Sequence, residues 1–540
     1  MIRVAILSKM KDLDRRSFLK LASGCLVPLL PGCSGSGTPD PYAGGELWGD
    51  TPAGLEHSLL PEERRPDGIL EVFLMGGLSP WESFYTVPGL CDPGLGGPFA
   101  GQQWWTFQDG VSPNVGEWFE QCEGGGRDLY EPFARDAMDQ MVNLGPFVAP
   151  LRDRPDILAR MRVWVMAHPL EPHDAAIPYS VAGLPISNPR MAGFGTHIQR
   201  FFAARAAADR SAPFSYSIFQ NSLNRLDLGA PSTALGLHPA AAQPIAIQLG
   251  DEPTLPRQLA RPGVSGNTGA FDALIDHYGA AFRERLRQAG ADTRAPAFAD
   301  YLSSRYAMGR HQALLELLPP DLFEREELTM CSRHPAYHNI DRYDATDETG
   351  AAIRMARHLL TAGENAARYV QVLDGGIYPN ANGQGYDSHD EHVLGQGANV
   401  SHLCRRLAEV INEPGEGDPN KLDLDRHFVL LNTEFGRSPT PEVSSANPNG
   451  FGTNHWPWGY VIVGFGGPID SERAGVVGAI GEDSTALVSA TPTEHRAALL
   501  LSMGIWPFTE ESFAVGDIQA SGTELDAALA VKSKIMGYDT

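Results

Sequence analysis

Basic side chains are scarce in this 540-residue sequence: 42 Lys and Arg face 66 Asp and Glu, a net charge of −24. Phosphate backbones and anionic lipid surfaces are captured by clustered Lys and Arg, so nucleic-acid and polyanion binding are excluded first. Cysteine is equally sparse, with six in the chain and no Cys-x-x-Cys, which removes the usual iron–sulfur clusters. There is no Gly-x-Gly-x-x-Gly dinucleotide fingerprint and no Gly-x-Ser-x-Gly nucleophile elbow, so a cofactor oxidoreductase and a serine hydrolase lack support. Past the N-terminus no apolar run approaches the roughly 18 residues that a membrane-spanning helix needs. What is abundant is Gly (58) and Pro (42). That excess predicts long ordered loops, the places where sites usually sit.

The N-terminus carries an address. Asp14-Arg15-Arg16-Ser17-Phe18-Leu19-Lys20 sets an arginine pair before a mostly apolar stretch from Leu21 to Leu30, the layout of a twin-arginine export signal. A buried helix is a poor alternative, because Pro28 and Pro31 would break it. Leu30-Pro31-Gly32-Cys33 resembles a lipoprotein cleavage box and makes Cys33 the candidate lipidation site. Residues 1–33 are therefore expected to direct twin-arginine export to the periplasm or cell surface. The only membrane contact expected is a lipid anchor, in the outer membrane by the resemblance of Cys33-Ser34. Residues 34–66, rich in Ser, Gly and Pro, read as a flexible tether. In an oxidising compartment Cys91–Cys122 is the local pair to test as a disulfide, reduced cysteines being the alternative.

Five near-continuous apolar runs predict buried strands: Ile69–Met75, Arg162–Ala167, Tyr369–Leu373, Phe428–Asn432 and Tyr460–Val463. Helical stretches at Thr349–Arg368 and Asn399–Ile411 alternate with them, and Thr491-Pro492-Thr493-Glu494 is a capping box opening a further helix. The pattern implies an α/β domain over 67–510 with a doubly wound, mainly parallel sheet. A Pro- and Ala-rich insertion or cap is expected at about 200–345, with a helical block from Phe271 to Leu317, and a C-terminal extension over 511–540.

In such a sheet ligands gather beyond the carboxyl ends of the strands. The third strand leads to Gly385-Tyr386-Asp387-Ser388-His389-Asp390-Glu391-His392 and the fourth to Thr433-Glu434-Phe435-Gly436-Arg437; just before the fifth lies Asn454-His455-Trp456-Pro457. Carboxylates and imidazoles together suit a divalent ion such as Zn²⁺ or Mn²⁺. Taken singly, each cluster has a plainer reading: a solvated loop for Asp387 and His389, a Glu434–Arg437 pair, a packed aromatic corner for His455. His402, His311, His334 and His338 read as surface histidines.

These segments, with Gly76-Gly77-Leu78-Ser79, resemble domain of unknown function 1501, grouped with the alkaline phosphatase and sulfatase superfamily; the resemblance runs from about Leu70 to Pro507. It implies an alkaline-phosphatase-like sheet and divalent ions (Zn, Mn, Ca or Mg) acting on phosphate or sulfate esters. Carried over residue by residue, Asp387, His389, Glu434 and His455 become metal ligands, with His392 as an alternate. Phe435 stands where a further His ligand is expected, and Glu82 is a conceivable substitute for a missing acid after the first strand. Counting back from Gly183 places His173 where sulfatases have their nucleophile. A histidine there could bind metal, contact an anion or attack phosphorus. Arg437 and the amides after Gly76-Gly77 are candidate donors to a tetrahedral anion, Arg437 being alternatively a structural ion-pair partner. The implied function is an exported, metal-dependent hydrolase taking a small-molecule or carbohydrate ester. The alternative is a catalytically degenerate scaffold or binding lipoprotein on the same sheet.

Overall fold

The fold was obtained as a computed structural model; it describes residues 48–539 apart from 91–103, 108–113, 125, 206–214, 221–243, 252–267, 289–315, 329–345, 378–384, 444–449, 510 and 520. The export signal, Cys33, Cys91, His311, His334 and His338 lie outside these residues.

Strands β1 (Gly68–Leu74), β2 (Glu131–Arg135), β3 (Met141–Leu144), β4 (Met161–Met166), β5 (Ser215–Phe219), β6 (Ile245–Gln248) and β7 (Tyr369–Asp374) precede the candidate loops. They are followed by β8 (His427–Thr433), β9 (Gly436–Glu442), β10 (Gly452–Trp456), β11 (Tyr460–Gly466), β12 (Gly475–Val477), β13 (Ala479–Ile480) and β14 (Ala486–Val488). Eight of them form a mixed, mostly parallel central sheet in the order β12-β4-β11-β8-β1-β7-β5-β6. All seven residues of β1, β8 and β11 are buried, as their unbroken apolar character requires of strands covered on both faces. One face packs against the helices Glu348–Leu360 and His392–Val410, whose apolar residues join the larger core cluster. The other receives the helix Pro492–Ser502, opened by the expected capping box of Thr491 and Glu494.

Register sets up the site. Leu74 of β1 pairs with Asp374 of β7 and Thr433 of β8, so these three parallel strands end together. Strand β11 differs from expectation by running antiparallel to both neighbours, β4 and β8. Its first residue, Tyr460, therefore lies opposite Met166 at the end of β4, and the segment before β11 reaches the same edge as the loops after the parallel strands.

Three expected boundaries need correction. From Trp48 the supposed tether is packed: Ser58, Leu59 and Leu60 are buried, and Trp48 stacks on His197 with ring centroids 5.3 Å apart. The supposed insertion supplies β5 and β6, which pair in parallel with the sheet at one edge; its described helix spans Thr268–Gln288. The supposed C-terminal extension buries Phe513, Ile518, Val531, Ile535 and Met536 in the second core, and Trp164 of β4 donates to the Ile535 carbonyl at 2.8 Å. Short strands and Ala-rich segments gave too little periodicity to reveal these contacts beforehand.

Among the described residues no helix is long and apolar enough to cross a membrane.

Candidate metal centre

Four chain segments meet at the carboxyl edge. His173 opens the helix His173–Ala182 after β4, and Asp387 lies in the turn between β7 and the helix His392–Val410. Glu434 sits between β8 and β9, while His455 is in β10, directly opposite Arg437 of β9 in the β10–β9 ladder. Gly76, at φ +112°, lets the turn after β1 approach Asp387 closely: a Cβ there would stand 2.1 Å from the Asp387 amide nitrogen.

His173, Asp387 and His455 bring one ligand atom each to within 4.8 Å of the others, a group that could hold a metal ion. Asp387 Oδ1 lies 3.2 Å from His455 Nε2 and 2.9 Å from His389 Nε2, and the two imidazole nitrogens are 3.1 Å apart. Asp387 Oδ2 faces His173 Nε2 at 3.6 Å. That nitrogen is buried and has no hydrogen-bond partner. Two ligand atoms about 2.0–2.1 Å from a tetrahedral ion stand roughly 3.3 Å apart, so these spacings suit shared coordination as well as hydrogen bonding. His173 Nε2 makes no hydrogen bond at this spacing, and its place facing Asp387 Oδ2 suits either an ion pair with the protonated ring or a shared ion.

The imidazoles are held from behind. Glu434 Oε1 accepts from His173 Nδ1 at 2.9 Å and from the Gly76 amide at 2.8 Å. Glu442 Oε2 accepts from His389 Nδ1 at 2.6 Å. A carboxylate on the far nitrogen fixes ring orientation and raises the basicity of the near one, the usual support of a ligating histidine. Phe435, buried, stacks on His455 with ring centroids 4.3 Å apart and lies 5.0 Å from the His173 ring.

Charge follows from these contacts. Burial pushes the His173 imidazole down, but the facing Asp387 carboxylate and the Glu434 carboxylate outweigh this and carry it up to about 9. Burial likewise opposes the Asp387 charge, yet His173, His389, His455 and Arg437 together hold the carboxyl far below its ordinary range. His455 is pushed down, chiefly by burial, and His389 is raised because Asp387 overcomes its burial. Without an ion, His173 carries a proton where a cation would sit.

The structure sorts the expected roles. Glu434 lies outside the triad, its carboxylate accepting from His173 and Gly76, and of the roles open to His173 (metal ligand, anion contact or nucleophile) the first is the one its position fits. Arg437, for which anion donor and structural ion-pair partner were both open, is an ion-pair partner of Asp387. It is fully buried, with Nη1 bonded to Asp387 Oδ1 at 2.8 Å and to the Gly76 carbonyl at 3.0 Å, and Nη2 to the Thr453 carbonyl. The amides of Gly76, Leu78 and Ser79 likewise already donate, to Glu434, Thr433 and Gln396.

His392 and Glu82 lie elsewhere, bonded to each other at 3.3 Å in the interior. His402, expected at the surface, is buried against Asp347 at 2.7 Å. Glu442 and Thr453 were missed, since a strand Glu and a Thr before Asn-His carry no signal until β9 and β10 are paired.

Fold and site define an α/β protein with a candidate metal centre at the carboxyl edge of its sheet. Residues 309–505 are similar to the family described as Protein of unknown function (DUF1501); the match takes in Asp387, Glu434 and His455 but not His173. No curated protein matches the chain.

Proposed function

We propose that the protein is a metal-dependent hydrolase of phosphate or sulfate esters with a single-ion His/Asp centre, exported through its twin-arginine signal and lipid-anchored at Cys33. The observation that carries the reading is the convergence of His173 Nε2, Asp387 and His455 Nε2 within 4.8 Å of one another, with the buried His173 Nε2 facing Asp387 Oδ2 and making no hydrogen bond. The imidazole-rich set favours Zn²⁺ or Mn²⁺ over Ca²⁺ and Mg²⁺, which prefer oxygen ligands.

His173, Asp387 and His455 would hold the ion, with His389 adjoining. A divalent ion supplies Lewis-acid polarisation and water activation. Glu434 keeps His173 in the tautomer that offers Nε2. Arg437 fixes Asp387 by its Oδ1 and leaves Oδ2 turned towards His173. His389, partly exposed and backed by Glu442, is placed to give or take a proton at Nε2.

The test is metal analysis of protein purified without chelator, followed by assay against aryl phosphates and sulfates. Stoichiometric metal with turnover that is lost in Asp387→Ala supports the reading. Metal-replete protein inert on a broad ester panel counts against it. One observation favours a second reading, a binding scaffold that has lost catalysis: Arg437 and the amides of Gly76, Leu78 and Ser79 are all engaged internally rather than offered to an anion. Export is tested separately, by the loss of periplasmic protein in an Arg15→Lys/Arg16→Lys double variant.

A further inference from the structure

Behind the centre runs a buried chain of polar groups that the hydrolase reading does not use. Glu82, almost fully enclosed, accepts at Oε1 from Thr106 (2.5 Å) and at Oε2 from Ser79 (2.5 Å) and from His392 Nε2 (3.3 Å). The other ring nitrogen of His392, Nδ1, faces the hydroxyls of Ser388 at 2.8 Å and Thr453 at 3.0 Å. Thr453 Oγ1 accepts from Arg437 Nε at 3.2 Å, and the Thr453 carbonyl accepts from Arg437 Nη2. Arg437 Nη1 then reaches Asp387 Oδ1 at 2.8 Å.

Directionality along this chain is fixed at both ends. A carboxylate only accepts, so His392 presents Nε2–H to Glu82 and leaves Nδ1 to the Ser388 and Thr453 hydroxyls. Arg only donates, so the Thr453 oxygen receives Arg437 Nε–H and its own proton is left for His392 Nδ1 or for the Ser388 hydroxyl at 3.4 Å. Donor and acceptor roles therefore agree from Glu82 to Asp387. Each member is buried, so a broken link would leave an unsatisfied polar group rather than exchange it for water.

We propose that Glu82, His392 and Thr453 form a positioning relay that orients Arg437 and, through it, the Asp387 carboxylate. The relay rests on the reading of Asp387 as a metal ligand only for its consequence in binding. Its geometric content stands without a metal. None of the three residues touches the ion site; they act through Arg437.

Thr453→Val removes the hydroxyl while keeping the shape, and Thr453→Ser restores it. Titration of chelator-stripped protein with Zn²⁺ alone is expected to show binding about 10–100-fold weaker in the Val variant, the usual effect of an outer-sphere change, and near wild type in the Ser variant. Wild-type affinity in a folded Thr453→Val protein overturns the relay. A crystal structure of metal-free Thr453→Val gives the second measurement. There Arg437 and the Asp387 carboxylate are expected to leave the positions they hold in the wild-type protein; both staying in place overturns the relay independently of any metal. Should the wild type bind no Zn²⁺, the single-ion reading fails, and the crystallographic arm still decides the relay.

Discussion

Glu434 grips His173 from behind, carboxylate to Nδ1 at 2.9 Å, while its own charge is wholly buried and shared with the Gly76 amide. A residue that reads as a ligand in sequence thus stands behind the candidate triad, against His173. Glu434→Gln is expected to keep the fold but to loosen the ring and reverse its tautomer preference in part, weakening Zn²⁺ binding about 10–100-fold. Asp387→Ala is expected to abolish binding. Equal losses in the two variants, measured by competition with a chromogenic chelator, would place Glu434 on the ion after all.

Gly76 and Gly452 hold the Asp387 turn between them. A Cβ at Gly76 would meet Asp387 backbone at 2.1 Å and would force an L side chain to φ +112°; one at Gly452 would meet the His389 carbonyl at 1.5 Å. Gly76→Ala should cost on the order of 1–3 kcal/mol in denaturant unfolding, as other forced backbone conformations do, and should displace Asp387. A variant with unaltered stability and unaltered metal affinity would show that the turn has room to move.

How much of this was legible beforehand depended on periodicity. The apolar runs of β1, β4, β7, β8 and β11 stood out because strands covered on both faces need side chains that lose nothing by burial. The antiparallel sense of β11 did not, since a run of Val and Ile reads alike in both directions. Strands β5 and β6 sit at an edge and are short, and residues around them are Ala and Pro. Within the site, Asp387, His389 and His455 were found because each follows or precedes a strand. His173 was found by counting along a resemblance that left its role open between metal ligand, anion contact and nucleophile, and geometry set it beside Asp387 and His455. Glu442, Thr453 and the burial of Arg437 became visible only through the β9–β10 hairpin, whose pairing brings residue 437 opposite 455.

Glu71 lies in the middle of β1 and forms a two-pronged ion pair with Arg496, at 2.6 and 2.7 Å, with Tyr369 and Asn432 completing its hydrogen bonds. Burial works against the carboxylate, but Arg496 prevails and holds it below its ordinary range. Glu71→Ala leaves the Arg496 charge enclosed without its partner. The expected loss is about 3–5 kcal/mol in chemical denaturation, the range for breaking one side of a buried pair. A loss under about 1 kcal/mol would mean that water reaches Arg496 in the variant.

His495 offers a pH test away from the candidate centre. It is fully buried in the helix Pro492–Ser502, edge-on to Trp164 at 5.0 Å, and its Nε2 has no partner. Burial first, and the neighbouring Arg496 charge second, push its imidazole well below the ordinary value of 6.5. The unfolded chain therefore takes up a proton near pH 6.5 that the folded chain refuses. Stability from the neutral ring is complete above that pH and is lost as pH falls below it towards the folded value, by at most about 1.4 kcal/mol per pH unit. His495→Phe removes this proton uptake, so its unfolding free energy should fall less steeply than that of the wild type between pH 6.5 and 5. Urea unfolding at several pH values compares the two slopes. Parallel curves would mean that the wild-type imidazole is already protonated in the fold, or that the helix opens to admit water before it titrates.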